Sequence, residues 1–230
     1  VFNPRPTVRY VAIAGHAPCA VVDDFLLDPD ALVARAVAAQ ARFAVDPANY
    51  YPGPELDLGR EAALRLDDFF IQHIRRALGA QRTISVAARL ALATVAPFEL
   101  HPLQRLCHRD CAGLAPGVGA AAAVVYLFDD ARLGGTSFYR PTQGVDATAR
   151  VLREAHAGIA SEAHAPGYLT ASNADFEQLC TIPAQFNRAI FYDGEIFHAA
   201  QIDNPALLHP DPARGRLTMN GFFRFRKRIA

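Results

Sequence analysis

The sequence predicts an α+β domain rich in β structure, its strands forming a sandwich or barrel with helices in support. Three observations carry that expectation. Helix-periodic segments come first and short β-rich runs separated by Gly, Pro and Asp come later, an order that argues against alternating βαβ units. The composition, 51% hydrophobic and 20% charged with 15 Phe and 7 Tyr, supplies a large core and excludes a mainly disordered chain. At 230 residues a single domain over 1–230 is expected, with a helical support region at 1–80 and a β core at 81–230.

Taken in order, Val21-Val22-Asp23-Asp24-Phe25-Leu26-Leu27 reads as a short strand. Asp28 before Pro29 reads as the N-cap of a helix running to about residue 42. The stretch 46–59 carries Pro47, Pro52, Gly53 and Pro54 and cannot hold a long regular element, so an ordered loop is expected, anchored by Tyr50 and Tyr51. Over 60–79, Leu66, Phe70, Ile74 and Leu78 recur at four-residue spacing, an apolar ridge for a helix that backs a sheet and ends at Gly79. Strands are expected within 83–96, 120–128, 136–140, 182–192 and 216–225. The interval 143–181, with helix-like 147–157 and 173–179, reads as an insertion over one mouth of the β core, where Arg153, His156, His164 and Tyr168 could meet a polar substrate.

Charge and composition narrow the function classes. Lys+Arg 23 balances Asp+Glu 23, and basic residues cluster only at Arg224, Arg226, Lys227 and Arg228, which disfavours nucleic acid and favours a small-molecule, peptide or protein substrate. No uninterrupted apolar run approaches the roughly 18 residues of a membrane span, and the opening residues carry no export pattern, so neither a membrane nor export is expected. Four cysteines without repeated CxxC spacing favour a reducing compartment, the cytoplasm. Lys227 is the only lysine, and a chain so rich in arginine and alanine suggests a GC-rich bacterial genome. Oligomeric state is not legible.

The sharpest local feature is Cys107-His108-Arg109-Asp110. On extended backbone, positions two apart point to one side, so His108 and Asp110 converge while Arg109 faces away. Downstream stand Val124-Val125-Tyr126-Leu127-Phe128-Asp129-Asp130, Gly134-Gly135-Thr136-Ser137-Phe138, and Arg188-Ala189-Ile190-Phe191-Tyr192-Asp193-Gly194-Glu195-Ile196-Phe197-His198. With Asp23-Asp24-Phe25-Leu26 before the first helix, this ordered set resembles the iron(II)- and 2-oxoglutarate-dependent oxygenases, in their prolyl-hydroxylase-like branch, from about residue 20 to the end.

The resemblance implies a double-stranded β-helix, a jelly-roll, cupin-like barrel with flanking N-terminal helices. It implies that His108, Asp110 and His198 are catalytic as the ligands of Fe(II), two imidazoles and one carboxylate leaving open positions on the ion. Arg216-Leu217-Thr218 resembles the pair that grips the distal carboxylate of the co-substrate 2-oxoglutarate, and Tyr126 matches a strand tyrosine supporting it. Arg214 has the same strand parity as Arg216 and is a rival for the role, because the loop 203–213 separates His198 from the arginine more widely than is usual. The implied reaction with O₂ is hydroxylation of a C–H bond in an amino acid, a peptide or protein side chain, or a small metabolite; Asp110 argues against halogenation, and other oxidative outcomes stay open. Cys107 and Cys111 raise a zinc site, disfavoured because Cys107 has the opposite parity from His108. Gly117-x-Gly119-x-x-Ala122 imitates a dinucleotide fingerprint but leads into a strand instead of a helix. A non-catalytic ligand- or partner-binding protein on the same barrel remains the alternative.

Overall fold

In the computed structural model, which describes residues 2–46, 50–111, 113–161 and 166–228, two antiparallel sheets stack with helices on their outer faces. Along the chain lie β1 (Val8–Val11), β2 (Cys19–Val22), α1 (Pro29–Ala38), β3 (Glu55–Asp57), α2 (Gly59–Phe69), β4 (Ala80–Ala93), β5 (Val118–Tyr126) and β6 (Thr136–Pro141). Then follow α3 (Val145–His156), β7 (Phe176–Ile182), β8 (Ala189–Asp193), β9 (Phe197–Ala200) and β10 (Arg216–Lys227). The larger sheet has seven strands in the order β1-β2-β8-β5-β10-β4-β3, and the smaller has three in the order β7-β6-β9. They are separate hydrogen-bonded units, so the expected barrel is not closed by strand pairing.

Alternation along β10 divides the interior. Leu217, Met219, Phe223 and Phe225 face α2, packing with Leu66, Phe69 and Phe70, and the Phe70 and Phe223 rings stack at 4.3 Å. Arg216, Thr218 and Asn220 face the other way, into the space between the sheets, beside the cluster that joins Tyr126 and Ile190 of the large sheet to Phe138 and Ile182 of the small one. A third cluster, with Leu106, Cys107, Tyr139, Phe176, Phe197 and Ala199, lies on the outer face of the small sheet under Val151, Leu152 and Ala155 of α3.

Local signals explain most boundaries. Asp28 caps α1 by accepting from the Ala31 N–H at 2.9 Å, with Pro29 at the first position. The ridge of Leu66, Phe70 and Ile74 is buried, but α2 ends at Phe69 and continues as a π-turn over Phe70–Ile74 before Gly79 closes it at φ 66. The strand expected over 21–27 stops at Val22, since Asp24 turns the chain at φ 52.

Four expectations are corrected. The support region 1–80 is not only helical: β1, β2 and β3 extend the large sheet at both edges. The run 182–192 divides into β7 and β8 around Pro183 and Asn187, the latter at φ 59. Residues 173–179 are not helical; Asn173 accepts from the N–H groups of Asp175 and Phe176 to make a turn, and β7 then pairs with β6, so cross-strand pairing overrides a weak local helical pattern. Among its described residues, the segment 143–181 does not lie over a mouth as a unit. Its helix backs the small sheet, Arg153 is exposed and the His156 ring packs against Tyr50, while Tyr168 reaches round to donate to Val95 O at 2.7 Å; His164 lies outside the described residues. The Gly117 motif opens β5 and not a helix, as expected. Among the described residues no helix is long and apolar enough to cross a membrane.

The Gly-Gly step before β6 is a tight joint between strands. Gly134 sits at φ 75, and a Cβ there would collide with the Gln201 carbonyl; one on Gly135 would collide with the Ile182 carbonyl. Gly134→Ala is therefore expected to destabilise the fold by on the order of 3 kcal/mol, seen as a lower urea midpoint at unchanged slope.

Candidate functional site

His108 and His198 are joined by a reciprocal backbone bridge, each N–H donating to the other's carbonyl at 2.9 Å. The Asp110 N–H donates to Gly194 O at 2.8 Å, and the Gly194 N–H to Ala120 O at 3.0 Å, which ties the His-x-Asp segment to the turn between β8 and β9 and to the start of β5. Gly194 permits this approach, because a Cβ there would stand 3.2 Å from that of Asp110 and 3.0 Å from that of Ala120. As parity required, Arg109 points to the other side, its guanidinium 4.6 Å from the centre of the Phe197 ring.

One donor atom from each of His108, Asp110 and His198 falls within 4.8 Å of the others. His108 Nε2 is 3.8 Å from Asp110 Oδ1, and His198 Nε2 is 3.5 Å from Asp110 Oδ2. Ile196 O lies 3.0 Å from His198 Nδ1. A carbonyl can only accept, so Nδ1 carries the proton and Nε2 turns its lone pair to the site. The His108 side chain leaves 57% of its surface open to solvent. Desolvation and the neighbouring His198 pull its pKa well below the ordinary value against the attraction of Asp110, favouring a neutral ring that can act as a ligand. Tyr192 packs 4.7 Å from the His198 ring, its phenol pushed far up by burial and the Asp110 charge.

These residues fit a divalent transition metal. Two imidazoles and a carboxylate form a mixed nitrogen and oxygen donor set. Asp110 Oδ2 is buried without a hydrogen-bond partner, a position that a bound cation would satisfy. Cys107 is packed in the outer cluster with its thiol pushed up by burial, so it stands apart from the donor set.

Arg216 begins β10 on the interior face. It is 2% exposed and donates from Nε to Leu133 O at 2.9 Å and from Nη2 to Gly135 O at 2.7 Å, with Phe128 beside it. Arg214 is exposed on the turn before the strand. That turn is compact, since Asp211 O accepts from the N–H groups of both Arg214 and Gly215, and it delivers Arg216 opposite Ala93 despite the long preceding loop. Thr218 is one step along the same face, directly across from Tyr126. Tyr126 is fully buried with its hydroxyl 2.8 Å from Thr136 Oγ1, and burial pushes its pKa far up. The buried guanidinium with adjoining hydroxyls fits a carboxylate.

Sequence reasoning missed Tyr51 and Asn220 as site residues. Tyr51 projects from the Pro-rich loop against Arg216 and Thr218, and Asn220 is buried on the same face with Oδ1 lacking a hydrogen-bond partner. Asn220, two positions beyond Thr218, has its strand parity, the signal that could have found it; Tyr51 was visible only as a loop anchor.

A family model described as "Family of unknown function (DUF6445)" matches residues 4–223. No curated protein matches the sequence. Among solved structures, the chain is similar to the non-heme alpha ketoglutarate dependent epimerase SnoN from nogalamycin biosynthesis, with 12% identity over 92% of this chain and 81% of that one at a TM-score of 0.49. It is also similar to a prolyl hydroxylase from Trichoplax adhaerens in complex with a hypoxia inducible factor peptide fragment (10% identity, 90% and 83% covered, TM-score 0.45). A Pseudomonas putida prolyl-4-hydroxylase is a further likeness (15% identity, 94% and 90% covered, TM-score 0.39). What this site can do is decided by its own residues.

Proposed function

The chain belongs to this family of unknown function, DUF6445, and we propose that it is an iron(II)- and 2-oxoglutarate-dependent oxygenase that hydroxylates a C–H bond of an amino acid, a peptide or protein side chain, or a small metabolite. The observation that carries the reading is the convergence of His108, Asp110 and His198 within 4.8 Å around a buried carboxylate oxygen without a hydrogen-bond partner. In this reading the two unequal antiparallel sheets are the walls of a double-stranded β-helix in one domain over 1–230, with 1–80 in support and 81–230 as its core. The four free cysteines suit a reducing cytoplasm.

When bound, iron(II) with 2-oxoglutarate and O₂ would supply the oxidising chemistry. The chain's own residues do the holding and orienting. His198 presents Nε2 because Ile196 O keeps the Nδ1 proton, and His108 presents Nε2 beside Asp110 Oδ1. Arg216 takes the distal carboxylate of the oxoacid, with Thr218 adding a hydroxyl and Tyr126 bracing the wall through Thr136.

Each of His108→Ala, Asp110→Ala and His198→Ala is expected to abolish stoichiometric iron in a protein that keeps its circular dichroism. Wild-type iron content in folded His198→Ala would remove the distal ligand from this account. Adding Fe(II) and 2-oxoglutarate anaerobically to metal-free protein should produce a visible charge-transfer band, and failure to bind metal or to give the band would favour a binding protein instead. Arg216→Ala should raise the 2-oxoglutarate requirement by roughly tenfold to over a hundredfold while metal stays bound, the loss of a charged contact worth about 1.5 to 3 kcal/mol. The same titration of Arg214→Ala tests the register: a loss there, with none in Arg216→Ala, would overturn it.

A further inference from the structure

Resting on the reading above, we propose that the substrate is a small molecule bearing a phosphate, which Arg224 holds beside the metal with help from Arg226 and Arg82. Arg224 and Arg226 belong to the basic cluster near the end of the chain, which the proposed chemistry leaves unused. Alternation along β10 places them. Leu217, Met219, Phe223 and Phe225 face α2, so Arg224 and Arg226 continue the inner face of Arg216, Thr218 and Asn220. The ladder between β10 and β5 runs without a register shift as far as Arg226 opposite Val118, so this parity holds to the end of the pairing. On β4, Thr83 turns towards α2 and donates to Asp67 at 2.6 Å, which leaves Arg82, directly across from Arg226, on the inner face.

That face leads to the donor set. The Asp110 N–H donates to Gly194 O, the Gly194 N–H donates to Ala120 O, and Ala120 pairs directly with Arg224 on the next strand, about 4.8 Å away. The side chain between Asp110 and Arg224 on this line is thus a single methyl. One step along the same face, Phe222, Ala122 and Tyr192 stand side by side on β10, β5 and β8, and Tyr192 packs 4.7 Å from the His198 ring. The metal donors and the arginines therefore occupy adjoining positions over one sheet.

Two independent features call for a ligand here. The first is unmatched charge. Arg82 and Arg226 are directly opposite, a placement in which like charges oppose strand pairing, and among the described residues Arg82, Arg224 and Arg226 make no ion pair. Their cationic neighbours are engaged, Lys227 with Glu195 at 2.6 Å and Arg89 with Glu55 at 2.9 Å. The second is Asn220, 8% exposed, whose Oδ1 has no hydrogen-bond partner and can accept from an N–H or O–H of a substrate. Val124, paired with Asn220 on a central strand, is only partly buried, as is Phe222, so the gap between the sheets is open above them. A molecule entering this gap meets Arg224, Phe222 and Asn220 in that order. Guanidinium groups bind phosphate oxygens in pairs, and a dianion would relieve the repulsion between Arg82 and Arg226. Three such groups in a chain of zero net charge match one phosphate and not the repeated phosphates of a nucleic acid.

The test is calorimetric titration with phenyl phosphate at low ionic strength, with benzoate as the singly charged comparison, joined to the phosphorus NMR linewidth of phenyl phosphate in Mn(II)-loaded protein. Wild-type protein should prefer phenyl phosphate to benzoate and broaden its resonance, because the phosphate lies near the paramagnetic ion. Arg224→Gln should weaken phenyl phosphate by roughly tenfold or more and remove the broadening while metal uptake stays intact. Arg76→Gln, an equal loss of charge from the exposed turn after α2, should change neither. Equal affinity for the two anions, or equal weakening in Arg76→Gln, would reduce the effect to bulk charge and overturn the assignment. Broadening that survives in Arg224→Gln would mark direct capture by the metal, and binding without broadening would put the anion elsewhere; either result also overturns it. Protein that takes up no Mn(II) would defeat the parent reading, while the calorimetric comparison of wild type with Arg224→Gln, which needs no metal, still decides the anion site.

Discussion

The reciprocal pair of hydrogen bonds between the backbones of His108 and His198 is the constraint on which the site depends. It joins a segment between β4 and β5 to β9, two stretches far apart in sequence, and sets two imidazoles side by side with ring centres 4.3 Å apart. Once that bridge exists, Asp110 follows two residues on and reaches Gly194, which leads back into β9. The site is thus a consequence of strand pairing at the edge of the small sheet. Side chains need only the parity of extended backbone to converge.

The same parity lets β10 serve two environments. Its odd-numbered residues pack apolar surface on α2, and its even-numbered residues near the start carry the guanidinium, the hydroxyl and the carboxamide. A buried arginine requires compensation, which comes from the carbonyls of Leu133 and Gly135. Those carbonyls flank the Gly-Gly step, where close approach to Gln201 and Ile182 excludes any side chain. Anchoring the cation and joining the sheet strands are therefore one piece of architecture.

Much of this was legible because it rests on local order in the chain. The capped start of α1, the ridge of α2 and the long strands read directly from residue types and spacing, whereas the ordered set His108, Asp110, Tyr126, Gly134, His198 and Arg216 took its meaning from a resemblance to a known family. The rest depends on pairing across long separations. β1, β3 and β9 run for four, three and four residues, too short for a period to register, and β7 was hidden because its partner β6 decides its conformation. Tyr51 was illegible for the same reason: its loop acquires meaning only when Pro52 and Pro54 hydrogen-bond along β4.

The two ends of the interior are satisfied in opposite ways, and the contrast bears on what the site holds. Arg216 is anchored by the main chain. Asp110 Oδ2 lies buried and without a hydrogen-bond partner 3.5 Å from His198 Nε2, although an imidazole N–H would be an obvious donor. That donation is withheld because the proton of His198 is on Nδ1, given to Ile196 O. A nitrogen lone pair then confronts a carboxylate oxygen, with a second imidazole nearby whose pKa is pulled down. Protonating His108 could relieve the repulsion, yet desolvation and the neighbouring His198 oppose it. A cation shared by all three groups removes it at a stroke, turning lone-pair repulsion into coordination. That balance of lone pairs supports the proposal that the three side chains hold a metal ion in common.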